Sequence, residues 1–232
     1  MVLTPPVGAS AARNLGARAT LGELIAFTDD DCEVSPLWLR AIEDAFARQP
    51  PAGVVLGSVM AGEHDDSQGF IPACLRRVAR MHRRFVDCPE LEVMGASMAV
   101  RKSAWVTLGG FREAIGPGTS VVAGEDYDLA VRALESGNPV LEFPGAVVTH
   151  HGFRTWQQGP SLVEGYSFGT ARVVGYHLAY RPVDLALCLI RFWRSYRNGK
   201  SLIIRSAPRS SANRPLHFAR GLVAGMVARW SG

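Results

Sequence analysis

Three consecutive carboxylates stand where a short apolar run of the sequence ends. Asp29, Asp30 and Asp31 follow the run 24–28 directly. Adjacent negative charges repel one another, and a divalent cation would remove that repulsion. Because aspartates two positions apart on an extended chain point to the same side, Asp29 and Asp31 can approach one Mg²⁺ or Mn²⁺, ions that prefer oxygen ligands. The alternative is a solvated acidic turn ahead of the next helix.

A second acidic group lies at residues 124–128, Gly-Glu-Asp-Tyr-Asp. Glu125 and Asp126 fall in the first turn of a predicted helix, where the helix dipole favours negative charge. A carboxylate held near a hydroxyl can take its proton as a new bond forms, which makes one of these residues a candidate general base. Taken alone, however, the residues are explained better as an ordinary helix N-terminus.

A third group, His150, His151 and Arg154, follows another apolar run. A histidine can ligate a cation or donate a hydrogen bond to a phosphate oxygen, and an arginine can pair with a diphosphate through two bonds. Adjacent histidines on a strand point to opposite faces, so at most one of the two faces the site easily. The alternative is a packed histidine beside a surface arginine.

The order of the elements predicts how these groups come together. Strands alternate with helices up to residue 137, which predicts a doubly wound α/β sheet with ligands at the carboxyl ends of its strands. After residue 160 the pattern is helical and rich in arginine. The predicted elements are helices at 11–19, 35–49, 70–86, 103–110 and 125–137, strands at 24–28, 53–60, 91–102, 139–143 and 146–151, and a linker at 205–215.

Composition indicates a globular chain of 232 residues with 47% apolar and 20% charged residues. The net charge is +4, and arginines cluster at 76–84 and after 172, which suits an anionic partner surface. The four cysteines lack metal-ligand spacing, so we expect reduced thiols in a cytoplasmic protein. The N-terminus does not resemble a signal peptide, and no apolar run reaches the ~18 residues of a membrane span.

Taken together, the motifs resemble the family 2 glycosyltransferases of GT-A fold. The resemblance covers roughly residues 11–155 and depends on four segments in one order: ARNLGARATLGELIAFTDDDC, MGASMAVRKSAWVTLGGFREAIGPGT, GEDYDLAVRALESG and PGAVVTHHGFRT. It implies an inverting enzyme that uses a nucleotide-diphosphate sugar together with Mg²⁺ or Mn²⁺. It also implies a mixed, Rossmann-like sheet over residues 1–160, followed by a helical region, 161–232, outside the motif set.

The resemblance assigns a role to each motif residue. Asp126 matches the catalytic base, and Glu125 would help to position the substrates. The metal ligands would be Asp29, Asp31 and His151. The donor-binding residues would be Asp30, Asn14, Arg13, His150 and Arg154. The acceptor pocket would be lined by Gly109, Gly110 and Phe111.

Family members begin with a strand, a helix and a second strand whose final aspartate grips the nucleotide base. The present sequence goes directly into what corresponds to the later helix. The resemblance therefore implies that the first part of the nucleotide-binding half is missing. The competing hypothesis to an active enzyme is a non-catalytic, truncated glycosyltransferase-like fragment that binds a partner or a membrane. A nucleotidyltransferase would share the metal–carboxylate chemistry but explains the order of the motifs less well.

The partners that we expect are a nucleotide-sugar donor and a glycan or lipid-linked acceptor, in polysaccharide, cell-wall or glycolipid synthesis, and not a nucleic acid. The segments 183–196 and 216–230 combine aliphatic residues with tryptophan and arginine. Basic amphipathic helices of this kind can lie in the lipid interface, so a peripheral contact with the inner face of the plasma membrane is one expectation. The alternative is that these helices pack on the catalytic domain or form a dimer contact.

Overall fold

The computed structural model describes residues 7–197 and 214–228. Eight strands and seven α-helices are described in these ranges, together with short 3₁₀ segments at Phe85–Glu90 and Gly95–Ser97. The strands are β1 (Leu24–Phe27), β2 (Cys32–Val34), β3 (Val54–Ala61), β4 (Gly69–Phe70), β5 (Arg80–His82), β6 (Met98–Arg101), β7 (Val140–His150) and β8 (Arg154–Thr155). The helices are α1 (Ala9–Ala19), α2 (Trp38–Arg48), α3 (Lys102–Leu108), α4 (Glu125–Glu135), α5 (Gly159–Ala179), α6 (Pro182–Arg197) and α7 (Arg214–Met226).

The main sheet has the order β1-β6-β3-β7-β2, and β5 also pairs with β7. Strand β6 runs antiparallel to both β1 and β3, whereas β3 and β7 are parallel. It follows that β1, β3 and β7 run in one direction and end at one edge of the sheet. The acidic run and the histidine pair follow or end two of these strands, so both groups lie at that edge, as the sequence predicted.

Alternation along the central strands builds a core on each face of the sheet. Val54 and Leu56 of β3 pack with Phe27 and with the buried residues of α3 and α4, whereas Val55 and Val59 pack with α2 on the other face. Helix α2 presents Trp38, Ile42, Ala45 and Phe46, a spacing that places all four side chains on one side. Helices therefore cover both faces, and the predicted mixed α/β, doubly wound sheet is confirmed.

The predicted helix at 70–86 is wrong. This stretch contains β4, an isolated bridge between Val59 and Cys74, β5, and the beginning of a 3₁₀ turn. Pro72 has no N–H for a helix interior, and the neighbouring backbone groups bond to β3 and β7 instead. The run of apolar residues and arginines matched helical spacing by coincidence.

Two strand predictions had inexact boundaries. The two strands predicted at 139–143 and 146–151 form the single strand β7, whose pairing with β3 shifts register between Leu56 and Ser58. The strand predicted at 91–102 is ordered as β6 only from Met98, because Gly95–Ser97 turns first. Residues 205–213 of the predicted linker lie outside the described residues.

The helical pattern after residue 160 is confirmed for the described residues. Val173, Val174 and Leu178 of α5 are buried in the main core, and α7 lies along α5. The contact between these two helices is very close, since a Cβ added to Gly175 would overlap the carbonyl oxygen of Leu222, and one added to Gly225 would overlap that of Arg172. In the part of the chain that the structure describes, we find no helix long and apolar enough to cross a bilayer.

Candidate active site

Each of the three polar groups singled out in the sequence contributes residues to one cavity at the carboxyl edge of the sheet. Its volume is about 860 Å³. The polar lining includes Asp29–Asp31, Glu125, Asp126, His150 and Arg154. A cavity of this size can hold a small-molecule substrate, and pockets of this kind occur at strand ends in α/β folds. The structure thus brings together residues that are up to 125 positions apart, from 29 to 154.

Arg13 of α1 connects the first two acidic groups. Its guanidinium donates to Asp29 Oδ1 at 2.6 Å and to Glu125 Oε1 at 2.8 Å, and its side chain is 15% exposed. Burial disfavours the charged guanidinium, but the two carboxylates outweigh burial and hold the pKa of Arg13 above its ordinary value. Because the salt bridges are shielded from solvent, they hold the acidic loop and the start of α4 at a fixed separation.

Asp126 lies at the N-terminus of α4 with both carboxylate oxygens held by backbone groups. Oδ2 accepts from the N–H of Gly95 at 2.8 Å and Oδ1 from the N–H of Tyr127 at 2.7 Å. Burial and the charge of Glu125 raise the pKa of Asp126 to about 7, although Arg13 and the two N–H groups oppose the shift. A carboxylate with this pKa is suited to accept a proton near neutral pH.

Gly124 forms the turn that leads into α4 at the cavity wall. Its φ of 103° lies in the left-handed region, and an added Cβ would meet the backbone of Gly169 at 3.1 Å. Glycine is therefore required both by the backbone conformation and by the closeness of α5. This turn presents Glu125 and Asp126 to the cavity rather than to solvent.

Asp31 and His150 face one another, because β2 pairs with β7 in a register that sets Cys32 opposite His150. Asp31 Oδ2 lies 3.3 Å from His150 Nε2. The other ring nitrogen, Nδ1, lies 3.0 Å from the carbonyl oxygen of Pro72, which only accepts, so Nδ1 carries the proton of a neutral ring. Nε2 faces the Asp31 carboxylate, an arrangement that suits either a proton or a cation between the two atoms.

The spacing of these two atoms would suit a shared divalent cation. Ligand atoms about 2.1 Å from Mg²⁺ lie roughly 3 Å apart when they are adjacent, which is close to the observed separation of Asp31 and His150. Cys32 Sγ lies within 4.8 Å of both ligand atoms. Burial, followed by the charge of Asp29, raises the pKa of Cys32 to about 11, so Cys32 is a protonated thiol next to the pair. Asp29 belongs to the same loop but is engaged by Arg13.

The structure places His150, rather than His151, beside the acidic loop. We predicted His151 as the metal ligand and His150 as a donor contact. His151 is exposed, and its Nε2 lies 3.7 Å from Glu33 Oε2, on the opposite face of the strand. Alternation along β7 accounts for the difference, since only one of two adjacent side chains can face the cavity.

Asn14 and residues 109–111 are not among the described residues that line the cavity. Asn14 is buried, donates to the carbonyl oxygen of Phe111 at 2.9 Å and accepts from its N–H at 2.8 Å. Gly110, with a φ of 83°, leaves room for this amide, and Phe111 packs on Phe27 and Trp105. These residues hold α1, the helix that carries Arg13, to the loop after α3.

Sequence reasoning missed the part of the site that α5 contributes. Tyr166 and Thr170 line the cavity from this helix. Burial, followed by the charges of Asp126 and Glu125, raises the pKa of Tyr166 to about 12, so its hydroxyl remains a hydrogen-bond donor beside the acidic groups. Helical periodicity predicts α5 but gives no indication of where it lies on the sheet. The stretch 72–77, predicted as helix, supplies another wall.

Solved structures share this fold. The chain matches S. aureus TarS 1-349 with a TM-score of 0.56 at 15% identity, over 95% of this chain and 62% of that chain. It matches the mannosyltransferase PcManGT from Pyrobaculum calidifontis, in complex with GDP-Man and Mn²⁺, with a TM-score of 0.50 at 14% identity, over 97% of this chain and 68% of that chain. The fold is that of GT-A glycosyltransferases, as predicted.

The sequence comparisons match the same family over part of the chain. The model of Glycosyl transferase family 2 matches residues 2–107, which confirms the predicted relationship with family 2 glycosyltransferases. Rat polypeptide N-acetylgalactosaminyltransferase 10 is 26% identical over 155 residues, 60% of this chain and 25% of the relative. The glucosyl-dolichyl phosphate glucuronosyltransferase of Haloferax volcanii is 26% identical over 174 residues, 69% of this chain and 54% of the relative. The chain thus spans between a quarter and about half of these curated relatives.

Proposed function

We propose that this chain carries the catalytic groups of a metal-dependent glycosyltransferase. The reaction is transfer of a sugar from a nucleotide-diphosphate sugar to an acceptor hydroxyl with inversion at the anomeric carbon. The observation that carries this proposal is the convergence of three groups on one cavity: the acidic loop 29–31, the start of α4 and the end of β7. The glycosyltransferases among the relatives and the family match support the same chemistry.

Asp126 is the proposed base. It takes the proton of the acceptor hydroxyl while the hydroxyl oxygen bonds to the anomeric carbon and the bond from that carbon to the diphosphate breaks. Backbone N–H groups fix both of its oxygens, so the carboxylate is oriented before the substrates bind. Glu125 holds Arg13 and raises the basicity of Asp126 through its charge.

Asp31 and His150 are the proposed protein ligands of a divalent cation, with Asp29 on the same loop as the second carboxylate. When bound, the cation would stabilise the negative charge that the departing diphosphate gains. His150 replaces His151 in this proposal because of its position beside Asp31. The Mn²⁺ in the mannosyltransferase complex supports the use of a divalent cation, and Mg²⁺ would satisfy the same ligands.

The donor side of the cavity carries the remaining basic and polar contacts. Arg154 is half-buried at the rim, where a guanidinium can pair with a diphosphate. Asp30 is exposed beside the proposed metal ligands and can accept hydrogen bonds from sugar hydroxyls. Arg13 holds the acidic loop in place through its salt bridge to Asp29. The proposed acceptor is a glycan or a lipid-linked molecule, and the proposed pathway is polysaccharide, cell-wall or glycolipid synthesis. The proposed location is the cytoplasm, at the inner face of the membrane.

The adjacent histidines give a matched test of the metal site. We expect His150→Ala to remove the Mn²⁺-dependent rise in melting temperature that a UDP- or GDP-sugar produces, because it removes a ligand beside Asp31. His151→Ala, whose side chain faces Glu33, should retain the rise. Thermal shift across a panel of nucleotide sugars with Mn²⁺ or with EDTA measures both variants.

Two results would overturn the proposal in different ways. Equal loss in both histidine variants, or loss only in His151→Ala, would remove His150 from the metal site. The absence of any Mn²⁺-dependent stabilisation by every nucleotide sugar would favour the non-catalytic fragment hypothesis. Transfer of radiolabelled sugar to a membrane or glycan fraction, absent from EDTA-treated samples, would establish the reaction itself.

A further inference from the structure

An arginine-rich surface next to the cavity carries exposed aliphatic side chains. We call residues 75–84, which lead into and past β5, the arginine segment. Leu75 is 57% exposed and Val78 is 71% exposed. Between them and after them lie four exposed arginines, Arg77, Arg80, Arg83 and Arg84. The sequence contains no acidic residue between Asp66 and Asp87, so nothing within this stretch neutralises them.

Nearby carboxylates balance only part of this charge. Arg80 pairs with Glu90, and Arg84 lies 3.7 Å from Asp87. Within the described ranges, the side chains of Arg77 and Arg83 form no ion pair. The arginine segment therefore has a surplus of positive charge beside aliphatic groups that face solvent.

Helix α6 extends the same surface. Arg191 of α6 contacts Asp87 at 3.1 Å and Glu90 at 2.9 Å, so Glu90 joins α6 to Arg80 of the arginine segment. On α6, Val183 is 87% exposed, and Leu187 and Ile190 are each about half exposed. These three residues follow at intervals of four and three, which places them on one face of the helix, and exposed Arg194 comes one turn later.

We propose that the arginine segment and this face of α6 together bind the surface of an anionic lipid bilayer. Aliphatic side chains enter the boundary between headgroups and acyl chains, while unpaired arginines attract the headgroups. A soluble polyanion would use the arginines but would gain nothing from exposed Leu75 and Val78. A second copy of the chain across a twofold axis would set arginine-rich surfaces against each other, which is unfavourable.

The position of the surface relates it to the cavity. Leu75 and Arg77 belong to the arginine segment and also line the cavity. Binding to a bilayer would therefore bring the mouth of the cavity to the lipid headgroups. If the proposed glycosyl transfer holds, an acceptor attached to a lipid reaches Asp126 without leaving the membrane surface. Only this last step depends on the proposed function, since lipid binding is measured without donor or metal.

Co-sedimentation with vesicles tests the binding surface. We expect the full chain to sediment with phosphatidylcholine vesicles that contain phosphatidylglycerol, and to remain in the supernatant with phosphatidylcholine alone. Raising the salt concentration should weaken the binding, because salt screens exposed charges. Failure to bind the anionic vesicles, or equal binding to both compositions, would overturn the proposal.

Paired variants locate the surface. Arg77→Gln/Arg83→Gln should weaken binding roughly 25-fold, since one arginine near an anionic membrane contributes about fivefold, or about 1 kcal/mol. The control Arg40→Gln/Arg48→Gln removes the same charge from exposed positions on α2 and should change binding less than about twofold. Leu75→Ser/Val78→Ser should also weaken binding roughly tenfold, whereas Leu39→Ser/Val106→Ser, at similarly exposed positions, should not.

The controls and a sedimentation measurement separate the competing explanations. Equal losses in the α2 control would show that net charge alone drives binding, which contradicts a defined surface. A loss with the arginine variant but not with the Leu75→Ser/Val78→Ser variant would indicate a soluble anion site instead of a bilayer. A lipid-free dimer that the arginine-segment variants dissociate would show that the surface binds a second copy, which also overturns the proposal.

Discussion

Two aspartates on helix α4 lie two residues apart and have opposite electrostatic environments. Asp126 faces the cavity, and burial together with Glu125 raises its pKa to about 7. Asp128 is fully buried on the other side of the helix, where burial also opposes its charge. Hydrogen bonds and charges from His177, Arg132 and Arg112 outweigh that burial and lower its pKa.

The difference comes from the balance of partners. Asp128 accepts from Arg132 Nε at 2.7 Å and lies 3.2 Å from His177 Nε2, while the other ring nitrogen of His177 lies 2.8 Å from Glu135. Around Asp126 the acids outnumber the bases, because Arg13 is shared between Asp29 and Glu125. A fully paired acid stabilises the fold, whereas an acid left short of positive charge can exchange a proton. Within one helical turn, Asp128 therefore stabilises the fold, and Asp126 is the acid that can exchange a proton.

The largest expected effect is on transfer activity. Asp126→Asn removes the proposed base but keeps the size of the side chain, so the transfer rate should fall about 10³-fold or more while Mn²⁺-dependent donor binding persists. Initial rates and thermal shift with donor measure the two properties. Near-normal turnover in this variant would exclude Asp126 as the base.

Asp128→Asn should instead affect stability. The substitution leaves Arg132 and His177 without their shared counter-charge in a buried environment, which is expected to lower the free energy of unfolding by about 3–5 kcal/mol. Urea denaturation measures the loss. If Asp128→Asn reduces turnover per folded molecule as much as Asp126→Asn does, the division between the two aspartates is wrong.

Changes to the neighbours of Asp126 should move its pKa in opposite directions. The base must be ionised to act, so the pH profile of kcat/KM should rise with an apparent pKa near 7 in the unmodified chain. Glu125→Gln removes a negative charge and should move this rise to lower pH, whereas Arg13→Met removes a positive charge and should move it to higher pH, each by roughly one pH unit. Shifts in one common direction would contradict the assigned electrostatics.

The smallest effect concerns His177. Burial lowers the pKa of this imidazole, but hydrogen bonds to Asp128 and Glu135 outweigh burial and raise it above its ordinary value. A histidine with a raised pKa stabilises the fold fully below the pKa of the unfolded chain, and the contribution is lost as pH rises through the folded value. Between pH 6 and pH 9, the free energy of unfolding should therefore fall more in the unmodified chain than in His177→Gln. An equal decline in both proteins would contradict this role.

The sequence was sufficient to predict the sheet and the location of the cavity, because short apolar runs ended in chemically distinctive residues at strand ends. It predicted His151, rather than His150, as the metal ligand. That choice depends on the register of β2 against β7, which sets Cys32 opposite His150. Side-chain alternation shows that two adjacent residues face opposite sides of the sheet, but it does not show which of them faces the cavity.

Other parts of the site depended on contacts that the sequence does not encode locally. Tyr166 reaches the cavity because α5 passes close to Gly124, where Gly169 lies 45 positions further along the chain. Asn14 and Phe111 belong to recognised motifs, yet their side chains connect α1 to the loop after α3. The apolar residues of 70–86 have helical spacing. The backbone of this stretch nevertheless pairs with β3 and β7, so it does not form a helix.

The glycine contact between α5 and α7 ties the last described helix to a wall of the cavity. Helix α7 lies closest to α5 where side chains are absent, at positions such as Gly175 and Gly225. A single methyl group placed at Gly225, far along the chain from every acidic residue of the cavity, would act as a wedge that lifts one helix from the other. Tyr166 lies on α5 and lines the cavity, so the packing between these two helices supports one wall of the cavity from outside it.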